Sequence, residues 1–178
     1  MDIGVISVRY ARALLKCSIE NGTEDAVYQD MQTLAKSYID VPQLRSAIDN
    51  PMLAKESKEA LLKASAGEAA TELTTKFIRL VLDEERENVM QFIANSYITL
   101  YRKQKNIIRG KLTTATKVSP AIEQKMRQMV ESKTNGTVEF ETEVKPDILG
   151  GFILEYDTYR MDASAKTKLN AILKQLAV

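Results

Sequence analysis

The sequence predicts two domains: an all-α, six-helix bundle over residues 1–105 and a small α+β domain over 106–178. Three observations lead there. Residues 1–105 hold prolines only at Pro42 and Pro51, with apolar residues at helical spacing between the breaks. At Asn106 the pattern turns β-branched and alternating, through Ile107-Ile108-Arg109-Gly110-Lys111-Leu112-Thr113-Thr114-Ala115-Thr116. The remainder then reads strand, helix, strand, hairpin, helix. No Gly- or Pro-rich linker marks the boundary.

The first helix, about Ile3 to Glu20, gathers its charges on one side. Asp2, Arg9, Arg12, Lys16 and Glu20 project within an arc of roughly 80° at 100° per residue. Ile3, Ile6, Tyr10, Ala13, Leu14 and Cys17 lie on one uncharged side, and Val8, Ala11, Leu15 and Ile19 on the other. A helix at the edge of a bundle needs one apolar stripe a little over 100° wide, and this one has more. Two readings are open: a central helix buried all round, or a helix whose second face forms a groove for a partner helix.

Asn21-Gly22 suits a left-handed C-terminal cap, and Thr23 is placed to cap the second helix. Ala26, Val27, Asp30, Met31, Leu34, Ala35 and Tyr38 follow at helical spacing until Val41-Pro42 breaks it. A short third helix covers Gln43 to Ile48 and a fourth Lys55 to Ala66. Gly67 separates the fourth from a fifth, about Glu68 to Glu84. The fifth contains Phe77-Ile78-Arg79-Leu80-Val81-Leu82, with apolar residues over roughly 200° of the wheel. A sixth, from Val89 to about Lys105, ends in basic residues that suit a helix C-terminus.

In the second domain, Ser119-Pro120 opens a helix with Ile122, Met126, Met129 and Val130 on one face, the methionines as core filler. Asn135-Gly136 turns into the strand Val138 to Val144, whose glutamates face water. Pro146 stops that strand, and Gly150-Gly151 permits a tight re-entry into Phe152-Ile153-Leu154. Asp157-Thr158 turns the hairpin, Tyr159 to Met161 returns it, and Asp162 is a candidate N-cap. The last helix aligns Ala165, Leu169, Ile172, Leu173 and Leu176.

Composition excludes several functions. Lysine and arginine number 25 against 24 acidic residues, without the basic surplus of a nucleic-acid binder. Residues 1–105 carry 14 basic and 15 acidic residues, net −1, and residues 106–178 carry 11 and 9, net +2. Histidine is absent, and the single cysteine, Cys17, allows neither an internal disulfide nor a cysteine-rich zinc site. No segment approaches the roughly 20 apolar residues of a membrane span, and no signal-peptide core opens the chain. Gly150-Gly151 lacks the Lys-Ser/Thr pair of a phosphate loop. Glu139, Glu141 and Glu143 alternate outward as a solvated edge. We therefore expect no catalytic residue, no cofactor and no metal site.

Two stretches resemble one family. Arg9-Tyr10-Ala11 with Ala13-Leu14 near the start is similar to the opening motif of the F-type ATP synthase delta subunit family, which includes the oligomycin-sensitivity-conferring protein. Pro146-Asp147, Ile148-Leu149-Gly150-Gly151, the apolar strand and Asp162-x-Ser164 followed by Leu169 resemble its C-terminal signature. Arg86, within Asp83 to Asn88, matches a recurring basic residue of the family's polar break. Asp157 stands where the family carries a glycine, a turn position that Asp tolerates.

The resemblance implies a non-catalytic stator subunit that keeps the catalytic head from turning with the rotor. Residues 1–105 would bind the N-terminal helix of an alpha subunit, and residues 106–178 the ends of the b-type peripheral-stalk subunits. It implies a groove of Ile6, Tyr10, Ala13 and Leu14 facing Phe77, Leu80 and Val81. It further implies a bacterial protein on the cytoplasmic side of the cell membrane, held there through the complex. The rival reading from residues alone is a general helical adaptor; a small enzyme working with carboxylates is a weaker one.

Overall fold

The structure, a computed structural model, describes residues 3–134, 136–156 and 158–176, the side chains of 133, 134 and 176 excepted. The expected turn residues Asn135 and Asp157, the charge of Asp2 and the Leu176 side chain lie outside the described residues. The chain divides into two compact units, Met1–Lys103 and Gln104–Val178.

The first unit is helical: α1 (Ile3–Glu20), α2 (Glu24–Asp40), α3 (Gln43–Ile48), α4 (Lys55–Ala66), α5 (Glu72–Asp83), a 3-10 turn (Glu87–Val89) and α6 (Met90–Lys105). Its core is built on apolar side chains, with Val27, Met31, Leu34, Leu62, Ile78, Val81, Ile93 and Tyr97 fully buried. Several polar groups reaching into it are partnered, although the Tyr38 hydroxyl is buried without a hydrogen-bond partner among the described residues. Ser18 Oγ stands 2.9 Å from the Tyr97 hydroxyl, and Tyr101 donates to Asp25 Oδ1 at 2.6 Å. Tyr101 also stacks on Tyr28 at 4.1 Å between ring centres.

Helix ends explain where the elements depart from expectation. At the end of α1, Gly22 takes φ +65°. Gly22 N–H donates to Ile19 O, and Thr23 N–H to Ser18 O, the paired closure of a Schellman motif. Thr23 thus belongs to the end of α1. Its side chain makes no capping bond to α2 and instead donates to Ser18 O at 3.5 Å.

Helix α5 begins at Glu72 rather than at Glu68 because a buried carboxylate sets its start. Asp30 Oδ2 of α2 accepts from Thr71 N, Thr71 Oγ1 and Thr74 Oγ1 at 2.7 to 2.9 Å. Thr71 Oγ1 in turn accepts from Thr74 N at 3.2 Å and caps the helix. The end of α5 is a second Schellman closure, with Glu85 at φ 55° in the position glycine usually takes.

The second unit contains β1 (Ile107–Thr114), α7 (Pro120–Thr134), β2 (Thr137–Val144), a 3-10 turn (Pro146–Ile148), β3 (Phe152–Tyr156), β4 (Tyr159–Asp162) and α8 (Ala165–Leu176). The four strands form one mixed sheet in the order β2-β1-β3-β4. Strand β2 runs parallel to β1, with Ile108 opposite Val138, while β3 is antiparallel to β1, with Leu112 opposite Leu154. Leu112, Val130, Val138 and Leu154 are its buried centre, flanked by Met126 and Met129 of α7. Ile122, expected on that same face, is about half exposed at the helix start. Strand β1 stops at Thr114, where the hydroxyl donates to Thr116 O at 2.8 Å and turns the backbone out of the sheet.

Asp162 does not cap α8. Ala163 N–H is still bonded to Phe152 O, so the chain remains tied to β3 there. Asp162 Oδ1 accepts from Ser164 N at 2.9 Å, and the cap is Ser164, whose Oγ accepts from Thr167 N at 3.2 Å. Gly151 makes this closure possible. Its φ is +75°, and a Cβ there would collide with the Ala163 carbonyl oxygen. Gly150 is under no such demand.

Candidate partner-docking groove

Helix α1 is not buried all round. Its buried residues are Ile6, Ser7, Ala11, Leu14, Leu15 and Ser18, a single stripe. Ile3, Val5, Val8 and Ile19 are exposed, as is Ala13. The apolar excess seen in the sequence therefore faces outward. Helix α5 repeats the arrangement: Phe77, Ile78, Val81 and Leu82 are buried, yet Leu80 is 49% exposed.

Part of each outward face, Ala13 on α1 and Leu80 on α5, borders a hollow of about 640 Å³ lined by Arg9, Tyr10, Ala13, Leu14 and Cys17 of α1 and by Leu73, Lys76, Phe77 and Leu80 of α5. Tyr10 and Phe77 touch edge to face across it, 6.4 Å between ring centres and 68° between planes. Leu14 and Phe77, both nearly inaccessible, form its floor, and Ala13 and Leu80 stand open to water. Of the seven residues implied for the groove, Tyr10, Ala13, Leu14, Phe77 and Leu80 come together here. Ile6 and Val81 do not line it; both are buried in the core, Val81 completely.

Four lining residues were not among those seven. Leu73 stands one turn before Phe77 and Cys17 one turn after Ala13, so helical spacing alone could have found them. Arg9 and Lys76 carry charge, and a search for apolar faces sorts such residues to the solvent.

The walls are held from outside. Arg79 of α5 donates to Glu59 of α4 at 2.8 Å, and Lys63 reaches the same carboxylate at 2.7 Å. Hydrogen bonds from Arg79 and then Lys63 hold the Glu59 carboxyl down at about 2. Lys58 of α4, nearly buried, meets Glu87 at 2.7 Å just beyond α5. Burial opposes the Glu87 charge, but the Lys58 hydrogen bond outweighs it with help from the backbone and Lys55, so the carboxyl stays below its ordinary range. Lys76 pairs with Glu72 in full exposure at 2.7 Å, and that hydrogen bond lowers the Glu72 carboxyl.

Such a hollow offers apolar area and cations to a ligand, without convergent acid–base groups. Among the described residues, no three His, Cys, Asp or Glu side chains group as a metal site. Among the described residues, no helix is long and apolar enough to cross a membrane. A second uncovered apolar face lies on α8, where Leu169, Ile172 and Leu173 are each at least half exposed. The molecule thus comprises a helical unit with an open interhelical groove and a small α+β unit.

Comparison with known proteins gives the family. The family model for the ATP synthase delta (OSCP) subunit matches residues 6–176. ATP synthase subunit delta of Phocaeicola vulgatus is 48% identical over 176 residues, covering 98% of this chain and 95% of that protein. The same subunit from Parabacteroides distasonis is 42% identical over 97% and 96%, and from Synechococcus elongatus 31% identical over 94% of each. A chain in the cryo-EM structure of the Toxoplasma gondii mitochondrial ATP synthase hexamer superposes with a TM-score of 0.66 at 20% identity, covering 97% of both chains, and so shares the fold. This chain belongs to the ATP synthase delta (OSCP) subunit family. Its role is that of a stator subunit of the F-type ATP synthase, structural rather than catalytic.

Proposed function

We propose that the hollow between α1 and α5 receives the N-terminal helix of an alpha subunit of the catalytic head. In this reading the six N-terminal helices act as one bundle over residues 1–105, seated on the head. The α+β domain, 106–178, holds the ends of the b-type stalk subunits, and the apolar face of α8 is the surface we assign to them. The subunit then works on the cytoplasmic side of a bacterial cell membrane, reached only through the complex.

One observation carries the reading: Ala13 of α1 and Leu80 of α5, apolar residues outside the buried stripes, stand exposed on one groove floored by Leu14 and Phe77. The mechanical role asks only that the joint outlast the torque of the rotor. Burying an amphipathic helix in a preformed groove supplies slow dissociation without chemistry.

Cys17, the chain's single cysteine, lines the groove and reports on its occupation. The test is maleimide labelling of Cys17 alone and with stalk-free heads, followed by gel filtration. Co-elution with heads and protection of Cys17 are expected. Co-elution with Cys17 labelled at its free rate would move the joint elsewhere, and absence of co-elution would favour a general adaptor.

A further inference from the structure

The groove is apolar at its floor but not neutral at its rim. Only two of its lining residues carry charge, Arg9 on α1 and Lys76 on α5, and both are cationic. They immediately precede Tyr10 and Phe77, the two rings in contact across the groove. The cations thus belong to the same level of the hollow, one from each wall. Among the described residues Arg9 makes no ion pair, and Lys76 holds only the exposed Glu72. An exposed pair of that kind is screened and exchanges its partner readily. The unit as a whole is close to neutral, so this sign comes from placement and not from composition.

The geometry points to a partner helix of defined chemistry: amphipathic, with an apolar stripe for the Tyr10–Phe77 floor and carboxylates flanking that stripe to meet Arg9 and Lys76. The inference rests on the docking reading above and adds what the partner must carry. A docked helix would exclude water from both cations. A neutral helix would leave them partly desolvated and unpaired, which disfavours it, whereas an acidic flank pairs them and sets the register. Basic flanks would be rejected by like charge.

The test uses the full chain and two synthetic peptides: the alpha subunit's N-terminal segment, and the same peptide with every Asp and Glu replaced by its amide. Binding is titrated at low ionic strength and at ~0.15 M salt, where charges beyond about 8 Å are screened. The native peptide should bind Arg9→Gln about three- to tenfold more weakly than the unmodified chain, with a shallower salt dependence. Lys76→Gln should add to that loss, and the amide peptide should respond little to either change. Arg12→Gln, an exposed α1 cation outside this hollow, should change affinity by no more than about twofold. Equal, salt-independent binding of both peptides to every variant would overturn the acidic-flank inference and leave the groove standing. No binding of either peptide to the unmodified chain would overturn the docking reading and this inference with it.

Discussion

Tyr10 of α1 and Phe77 of α5 meet edge to face at 6.4 Å, and this contact makes the two helices one surface. Phe77 is almost fully buried while Tyr10 remains half-buried, so the pair joins the core below to the open groove above. Aromatic pairs of this geometry add about 0.5–1.5 kcal/mol beyond their buried area. The contact bridges the two walls of the groove at this level.

The two adjacent glycines of the second unit should behave differently. Gly151→Ala places a Cβ against the Ala163 carbonyl oxygen at a positive φ, and the backbone between β3 and α8 cannot yield cheaply. Thermal melts of the full chain should show a loss on the order of 2 kcal/mol or more. Gly150→Ala meets only the Ala165 Cβ at 3.6 Å, an ordinary contact, and should melt within a few degrees of the parent. Equal effects would contradict this account of the double glycine.

Acid should expose the tie between α4 and α5. The folded state holds the Glu59 carboxyl at about 2 against an ordinary value of 4.5, so folding favours its ionised form. That contribution is complete above pH 4.5 and is lost as pH falls toward 2. Glu59→Gln should therefore melt lower than the parent near neutral pH, with the gap closing between pH 4.5 and 2. Because the group lies near the surface, the gap is small. A gap independent of pH would mean that the carboxylate charge contributes nothing.

Much of this was legible from residue order, and the exceptions have physical causes. Periodicity located α3, α4 and α6, and the β-branched run at Ile107 located the first strand. Both helix starts that moved, at Thr71 and at Ser164, are set by a carboxylate from outside the helix: Asp30 across the core and Asp162 from the sheet. Asp30 is 41 residues from Thr71 and beyond any local reading, whereas Asp162 is only two residues from Ser164, and what hid the true cap was the Ala163 bond back to β3. Five of the seven groove residues that the family resemblance implies line one hollow; spacing groups each helix's share on one face but does not show which two helices meet. Ile6 and Val81 fall in the core because spacing cannot tell which part of a wide apolar face the neighbouring helices cover. Arg9 and Lys76 were missed because charge alone does not reveal that a groove lies beside it.

Residues 1–105 expressed alone should fold. The buried cluster of the second unit, Leu112, Val130, Val138 and Leu154, draws on no residue before 106, and the helical unit has its own buried core. We expect a helical circular dichroism spectrum, a cooperative melt and retained binding to stalk-free heads. A molten or aggregating fragment would show that the two parts share stabilising contacts.

The groove itself is tested most directly by Ala13→Asp. Ala13 lines the hollow and is exposed in the free chain, so the new carboxylate keeps its water and can pair with Arg9 one turn away. A docked helix would strip that water and compete for Arg9, at a cost of several kcal/mol. The measurement is a thermal melt beside a titration with the alpha N-terminal peptide. We expect a melt within a few degrees of the parent and an affinity lower by about a hundredfold or more. A collapsed melt would place Ala13 in the core, and an unchanged melt with unchanged affinity would place the partner elsewhere; either would contradict docking between α1 and α5.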